Sequence, residues 1–321
     1  MLVTALSALT PLLLMILAGY FSYRRQILPE NSAAVLNDFV YYFTLPALLF
    51  SSLAVTPFEE IAQGNFIAGY LVALVGIYFL GFLISKFALK GSFTENSMRA
   101  GTASFPNSGY LGLPIMMYLF EGSRQALLAT TLGIILPIII VILIVSSFAL
   151  HAADKSQSRI RVVWEIVLSM IKTPLIGASF IGAVYSFLHY ELPDFLEVGL
   201  HNFGMASVPC ALFSVGILLA RNKMELKVMN IGLVNLVKLI IHPLLAAACL
   251  WAFGVRGTML LMGILLTGMP VAAISCVLAE TYQTCEAETS ATFLVSMILY
   301  IPMLYLTLLL TDMCGLPLIN G

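Results

Sequence analysis

Charge is what this chain has least of. Charged residues fill only 10% of its 321 positions, hydrophobic residues fill 60%, and mean hydropathy is +1.01. Soluble domains carry about a quarter charged residues, so the balance assigns a membrane protein. The 15 basic and 16 acidic residues nearly cancel, to −1, and leave no basic surface for a nucleic acid. Cysteine is sparse as well: Cys210, Cys249, Cys276, Cys285 and Cys314 lie mostly in apolar stretches with no C-x-x-C pair. Neither a zinc site nor a disulfide framework is read from them, and no cofactor is expected. H-E-x-x-H, G-x-G-D and paired mid-membrane carboxylates are missing too, so an intramembrane enzyme is not expected. The first apolar stretch has no basic residue before it and no small-residue cleavage site after it. It reads as a retained membrane helix rather than a signal peptide.

What the chain does have is a pattern that occurs twice. Pro11, Pro29, Pro46, Pro106 and Pro137 return as Pro174, Pro193, Pro209, Pro270 and Pro302, at offsets of 163 to 165. Neighbours return with them: Thr10-Pro11-Leu12 as Thr173-Pro174-Leu175, and Leu49-Phe50-Ser51 as Leu212-Phe213-Ser214. With seven prolines in each half, chance supplies roughly one such match at a chosen offset, so five indicate an internal duplication. A duplicated, apolar, proline-interrupted chain is the sequence form of a secondary transporter.

A hydrocarbon core takes about 20 apolar residues per helix. Cutting at charge and turn clusters predicts ten spans: 2–23, 32–54, 65–88, 97–120, 126–150, 166–188, 200–220, 228–253, 258–281 and 290–311. Basic residues favour alternate loops: Arg24 and Arg25; Lys86, Lys90 and Arg99; Lys155, Arg159 and Arg161; Arg221, Lys223 and Lys227. The positive-inside bias then places both termini outside a cell (inner) membrane. Five spans per repeat is an odd number, so the second copy enters in the opposite sense. The expected organisation is a first five-helix repeat over 1–150, a short cytoplasmic linker over 151–165 and an inverted second repeat over 166–321.

Span four holds Ser104-Phe105-Pro106-Asn107-Ser108-Gly109-Tyr110-Leu111-Gly112-Leu113-Pro114. Two prolines, two glycines and an asparagine in eleven residues break a helix interior. Pro106 lacks a donor, and Gly109 and Gly112 permit unwound backbone. Irregular backbone at membrane depth is tolerated only inside protein or beside a watered cavity. Thr267-Gly268-Met269-Pro270 occupies the duplicated position in span nine. Two half-helices starting near the midplane would present amide ends to one another, a geometry that attracts an anion.

These residues resemble a known family. Asn107-x-Gly109-x-x-Gly112-x-Pro114, Pro270 followed by Ala279-x-x-Tyr282, and Leu45-Pro46 are similar to motifs of the auxin efflux carriers. That family includes bacterial malonate-type carriers and plant auxin exporters. The resemblance covers essentially the whole chain. It implies an all-α membrane protein with ten helices in two inverted repeats, helices 4 and 9 broken and crossing. It further implies a scaffold of helices 1, 2, 6 and 7, a mobile transport unit of helices 3–5 and 8–10, elevator-like movement and a homodimer through the scaffold. The short middle link resembles the bacterial members.

Polar residues inside the spans complete the candidate site. Lys238 sits mid-span, where insertion scales set its cost at about 2.5–3.5 kcal/mol, so it should face the bundle interior. Asn235, Lys238 and His242 share one helix face. Two readings stand together: an anion-attracting stripe beside the crossing, or an ammonium capping carbonyls freed by the breaks. The candidate substrate-binding residues are Phe105, Pro106, Asn107, Gly109, Lys238, His242, Thr267, Met269 and Pro270, with the duplicated Ser51 and Ser214. Lys172 is expected to snorkel, and Tyr41 and Tyr42 to pack. Asp38, Glu121, Glu165 and Glu280 lie near span ends, so no carboxylate is central. That tilts the substrate toward a small organic anion, a mono- or dicarboxylate. The coupled ion stays open among a proton, sodium and none. A sodium-coupled symporter of the bile-acid type is the nearest alternative, and a carrier-like membrane sensor a further one.

Overall fold

A computed structural model of the chain describes residues 2–58, 63–120, 123–152, 174–221 and 227–313. Lys155, Arg159, Arg161, Glu165, Lys172, Lys223, Glu121, Cys314 and nearly all of the 151–165 linker lie outside them. Among the described residues the chain is helical without a β-strand, and one isolated bridge joins Pro106 to Val271.

The helices are α1 (Leu2–Arg24), α2 (Ser32–Ala54), α3 (Gly64–Leu89), α4 (Phe93–Ser104), α5 (Leu113–Leu119) and α6 (Arg124–Ala149). They continue as α7 (Pro174–Phe187), α8 (Asp194–Leu218), α9 (Val228–Ala252), α10 (Gly257–Gly268), α11 (Ile274–Thr281) and α12 (Glu286–Met313). Six of them (α2, α3, α6, α8, α9 and α12) are long and apolar enough to cross a membrane by length and composition. Spans four and nine each appear as two helices separated by non-helical backbone.

Three helix starts differ from the sequence reading, and each has a local cause. The helix of span four begins at Phe93 rather than 97 because Ser92 and Glu95 form a reciprocal capping box that satisfies two end amides. Span seven begins at Asp194 rather than 200, behind Pro193 and with Asp194 and Glu197 in its first turn, where acids suit the helix dipole. Span ten begins at Glu286 rather than 290, again with acids, Glu286 and Glu288, in the first turn.

Proline leaves a repeated mark inside the helices. Of four wide π turns among the described residues, Ser85–Leu89 ends α3 with no proline after it, and the other three cover Val40–Thr44, Ser108–Gly112 and Val237–Ile241. Each of these three ends two residues before a proline: Pro46, Pro114 and Pro243. A proline has no N–H to give its fourth-previous carbonyl and its ring crowds that carbonyl. Widening the turn just ahead relieves the crowding without ending the helix.

Helices pack in two groups. α1 lies along α8 and α2 along α7, with α2 also touching α8, while α3 packs on α4 and α9, and α4 on α6. Leu45, Leu48 and Leu49 of α2 meet Leu113 of α5 and Ala211 of α8 along a seam between the groups. The larger core gathers Tyr70, Met98, Ile115, Leu266, Met269 and Phe293 around the two interrupted spans.

Candidate functional site

The first interruption is short. α4 ends at Ser104, whose hydroxyl donates back to the Ala100 carbonyl at 2.7 Å, and Phe105 turns to extended backbone at φ −88°, ψ 106°. Pro106 has no N–H to donate. Helical turning resumes at Ser108, where the amides of Leu111 and Gly112 both donate to the Asn107 carbonyl, at 3.2 and 3.0 Å. Gly109 and Gly112 therefore lie in a π turn rather than in unwound chain. A methyl on Gly109 would have only Ile134 nearby, at 3.8 Å, whereas one on Gly112 would sit 3.2 Å from Leu266. Gly112 is held by close packing; Gly109 is not.

The second interruption faces the first. α10 ends at Gly268, Met269 is extended, and α11 resumes at Ile274. The two segments run antiparallel and share backbone hydrogen bonds. Asn107 N–H donates to the Pro270 carbonyl at 2.9 Å, and Ala272 N–H donates to the Phe105 carbonyl at 3.1 Å. These are the two flanking bonds of one antiparallel bridge between Pro106 and Val271. The Val271 amide goes to Ser296 Oγ of α12 at 3.1 Å. Three amides at the breaks, those of Asn107, Val271 and Ala272, are thus spent on structure.

Side-chain groups stay unspent here as well. Asn107 and Ser108 are buried, and neither Asn107 Nδ2 nor Ser108 Oγ has a hydrogen-bond partner among the described residues. The Tyr70 hydroxyl, fully buried on α3, approaches Ser108 without reaching hydrogen-bond geometry and is likewise unpartnered. Buried polar atoms without partners are rare and costly, of order 1–3 kcal/mol each.

Lys238, Thr267 and His242 are brought together beside the second interruption. The fully buried Lys238 Nζ donates to the Thr267 carbonyl at 2.6 Å and lies 3.1 Å from His242 Nδ1. The Thr267 carbonyl belongs to the last turn of α10, where carbonyls lose their intrahelical partners. His242 Nε2 has no partner among the described residues. Asn235 is buried on the same helix but bonds elsewhere, its Nδ2 donating to Ile231 and Thr292 carbonyls at 2.9 and 3.4 Å. Met269 and Pro270 are buried at the crossing, while Phe105 is half-buried. Ser51 and Ser214 are engaged in packing: their hydroxyls donate to the carbonyls of Leu48 at 3.1 Å and Ala33 at 3.0 Å.

One polar group escaped the sequence reading. Arg99, counted among loop charges, is buried in α4 and grips Glu288 of α12 in a two-pronged ion pair, Nε–Oε1 at 2.6 Å and Nη2–Oε2 at 3.0 Å. Asn230 of α9 adds a third bond to Glu288 Oε2 at 2.9 Å. The Ser92-x-x-Glu95 capping signal, given its full weight, would have started the helix early enough to bury Arg99. Tyr70 and Ser296 carried no signal beyond being apolar-helix residues.

Known proteins resemble this chain over most of its length. The profile of the family described as "Membrane transport protein" matches residues 4–308. A Rhizobium meliloti (strain 1021) protein named "Putative malonate transporter" is 27% identical over 294 residues, covering 89% of each chain. An uncharacterized transporter of Escherichia coli (strain K12) is 24% identical over 292 residues, 90% of this chain and 92% of its own. Auxin efflux carrier component 5 of Arabidopsis thaliana is 23% identical over 333 aligned residues, 93% of this chain and 94% of its own. The resemblance carried by the Asn107 motif is borne out by these relatives, which are named as transporters and not as enzymes.

Proposed function

The chain belongs to the membrane transport protein family and is a multi-pass membrane protein, and from that premise we propose that it is a secondary transporter of a small organic anion. The substrate class is a mono- or dicarboxylate, malonate-like or auxin-like. The carrying observation is Asn107, whose main chain is committed to Pro270 while its side-chain N–H groups stay buried and unpartnered. An amide donor of this kind, next to the Ser108 and Tyr70 hydroxyls, suits a carboxylate oxygen, which accepts several hydrogen bonds and donates none.

In this reading the chain is two inverted five-helix repeats, 1–150 and 166–321, joined by the linker over 151–165. The meeting of the two interrupted segments, each at its own copy of the repeated proline, Pro106 and Pro270, supports it. Helices α1, α2, α7 and α8 act as a scaffold, paired with a second copy in a homodimer. The remaining helices carry the crossing segments past it in an elevator-type movement, with both termini on the outer side of the cell (inner) membrane. The separate packing of α1 with α8 and of α2 with α7 supports that division.

The test is uptake of labelled malonate, other carboxylates and indole-acetate into proteoliposomes holding the purified chain. Saturable uptake and counter-flow of one of them is the expected result. The absence of flux for all of them rejects the reading. Uptake that depends on sodium would favour the bile-acid type of symporter instead.

A further inference from the structure

We infer that Lys238 is a tethered counter-ion: the positive charge that balances the substrate anion is built into the chain at the end of α10. The inference rests on the carrier reading above and names how its site is charged. Three observations carry it. Lys238 is fully buried, and its Nζ is fixed between the Thr267 carbonyl at 2.6 Å and His242 Nδ1 at 3.1 Å. The carbonyl it caps is the C-terminal end of an interrupted helix, the kind of position at which discontinuous-helix transporters hold a coupling cation. Finally, among the described residues no acid pairs with it, since Glu288 is committed to Arg99 and Asn230, and Glu280 to Arg221.

An ammonium group inside a membrane protein needs a counter-charge. The half-charge of a helix C-terminus supplies part of it. In this inference the rest comes from outside the chain, from a substrate carboxylate at the adjoining crossing. A free cation has no such role here, because the tethered one already occupies the helix end and repels another. Lys238 thus acts on the substrate through its charge. Asn107, Ser108 and Tyr70 select its shape and acceptors.

The experiment measures ligand-induced thermal stabilisation of the purified full chain with malonate and with its monoamide, which carry two and one negative charges. Each is titrated in sodium chloride and in choline chloride at equal ionic strength. Wild type is expected to bind each ligand equally in both salts. Lys238→Met and Lys238→Gln are expected to lose affinity in proportion to ligand charge, about tenfold per carboxylate. An equal loss for both ligands, or no loss, overturns the inference. A sodium-specific stabilisation of the wild type also overturns it, and that arm needs no variant to fold. If neither anion stabilises the wild type in either salt and uptake is also absent, it is the carrier reading that fails.

Discussion

Gly19 of α1 lies directly against the backbone carbonyl of Phe213 in α8, so close that a methyl group there would collide with it. Gly182 of α7 meets the backbone of Phe50 in α2 in the same way. Adding 163 to 19 and to 50 gives 182 and 213, so the two contacts are one contact made twice. Small residues let helix backbones approach in this manner, and in lipid such packing replaces the hydrophobic drive that water would supply.

Gly19→Leu and Gly182→Leu are therefore expected to destabilise the chain similarly, each by roughly 1–3 kcal/mol through overpacking. Melting of the detergent-solubilised protein checks this. A Gly182→Leu variant as stable as wild type would mean that the two contacts are not equivalent in strength.

Asn107→Ala is expected to weaken carboxylate binding by about 10- to 100-fold, the worth of a hydrogen bond to a charged acceptor. The fold should survive, because the bond to Pro270 comes from the main chain. Asn107→Asp should bind still more weakly, since it sets an anion against an anion. Ligand-induced melting shifts with malonate measure both, and unchanged affinity in Asn107→Ala removes this residue from the site.

Breaking the buried pair on one side, with Arg99→Ala or Glu288→Ala, is expected to cost about 3–5 kcal/mol because a buried charge is left alone. Replacing both by leucine should recover most of that loss. Expression yield and melting temperature follow the series. A double variant no better than the singles would show that the pair does more than hold α4 to α12.

Ser52 Oγ of α2 and Thr131 Oγ1 of α6 are 2.7 Å apart, joining the proposed scaffold to the proposed moving unit. An elevator movement must part them in every cycle. With the native cysteines replaced, Ser52→Cys with Thr131→Cys is expected to stop proteoliposome uptake on oxidation and to regain it on reduction. Undiminished uptake by a protein shown to be cross-linked would reject that movement.

The crossing was legible in the sequence because it is encoded locally. Pro106 and Pro270 can neither donate nor tolerate the helical turn before them, and their positions in the repeat identify them as partners. The π turns were not legible. A proline signals an interruption, but whether the chain breaks, as at Pro106, or merely widens, as before Pro46 and Pro243, depends on the packing around it. Arg99 with Glu288 was hidden for a different reason. Their contact spans 189 residues, and nothing in either neighbourhood announces the other. Lys238 was expected beside the crossing, yet only the structure distinguishes the Thr267 carbonyl from any other acceptor within its reach.

The bridge between Pro106 and Val271 also bears on how the molecule is manufactured. A ribosome completes Asn107 well before it reaches Pro270, 163 residues later, so for that interval the amide has been made and its acceptor has not. Hydrocarbon offers no substitute. The leading half must wait in a setting that still supplies water or a protein host, and only synthesis of the trailing half releases it into lipid.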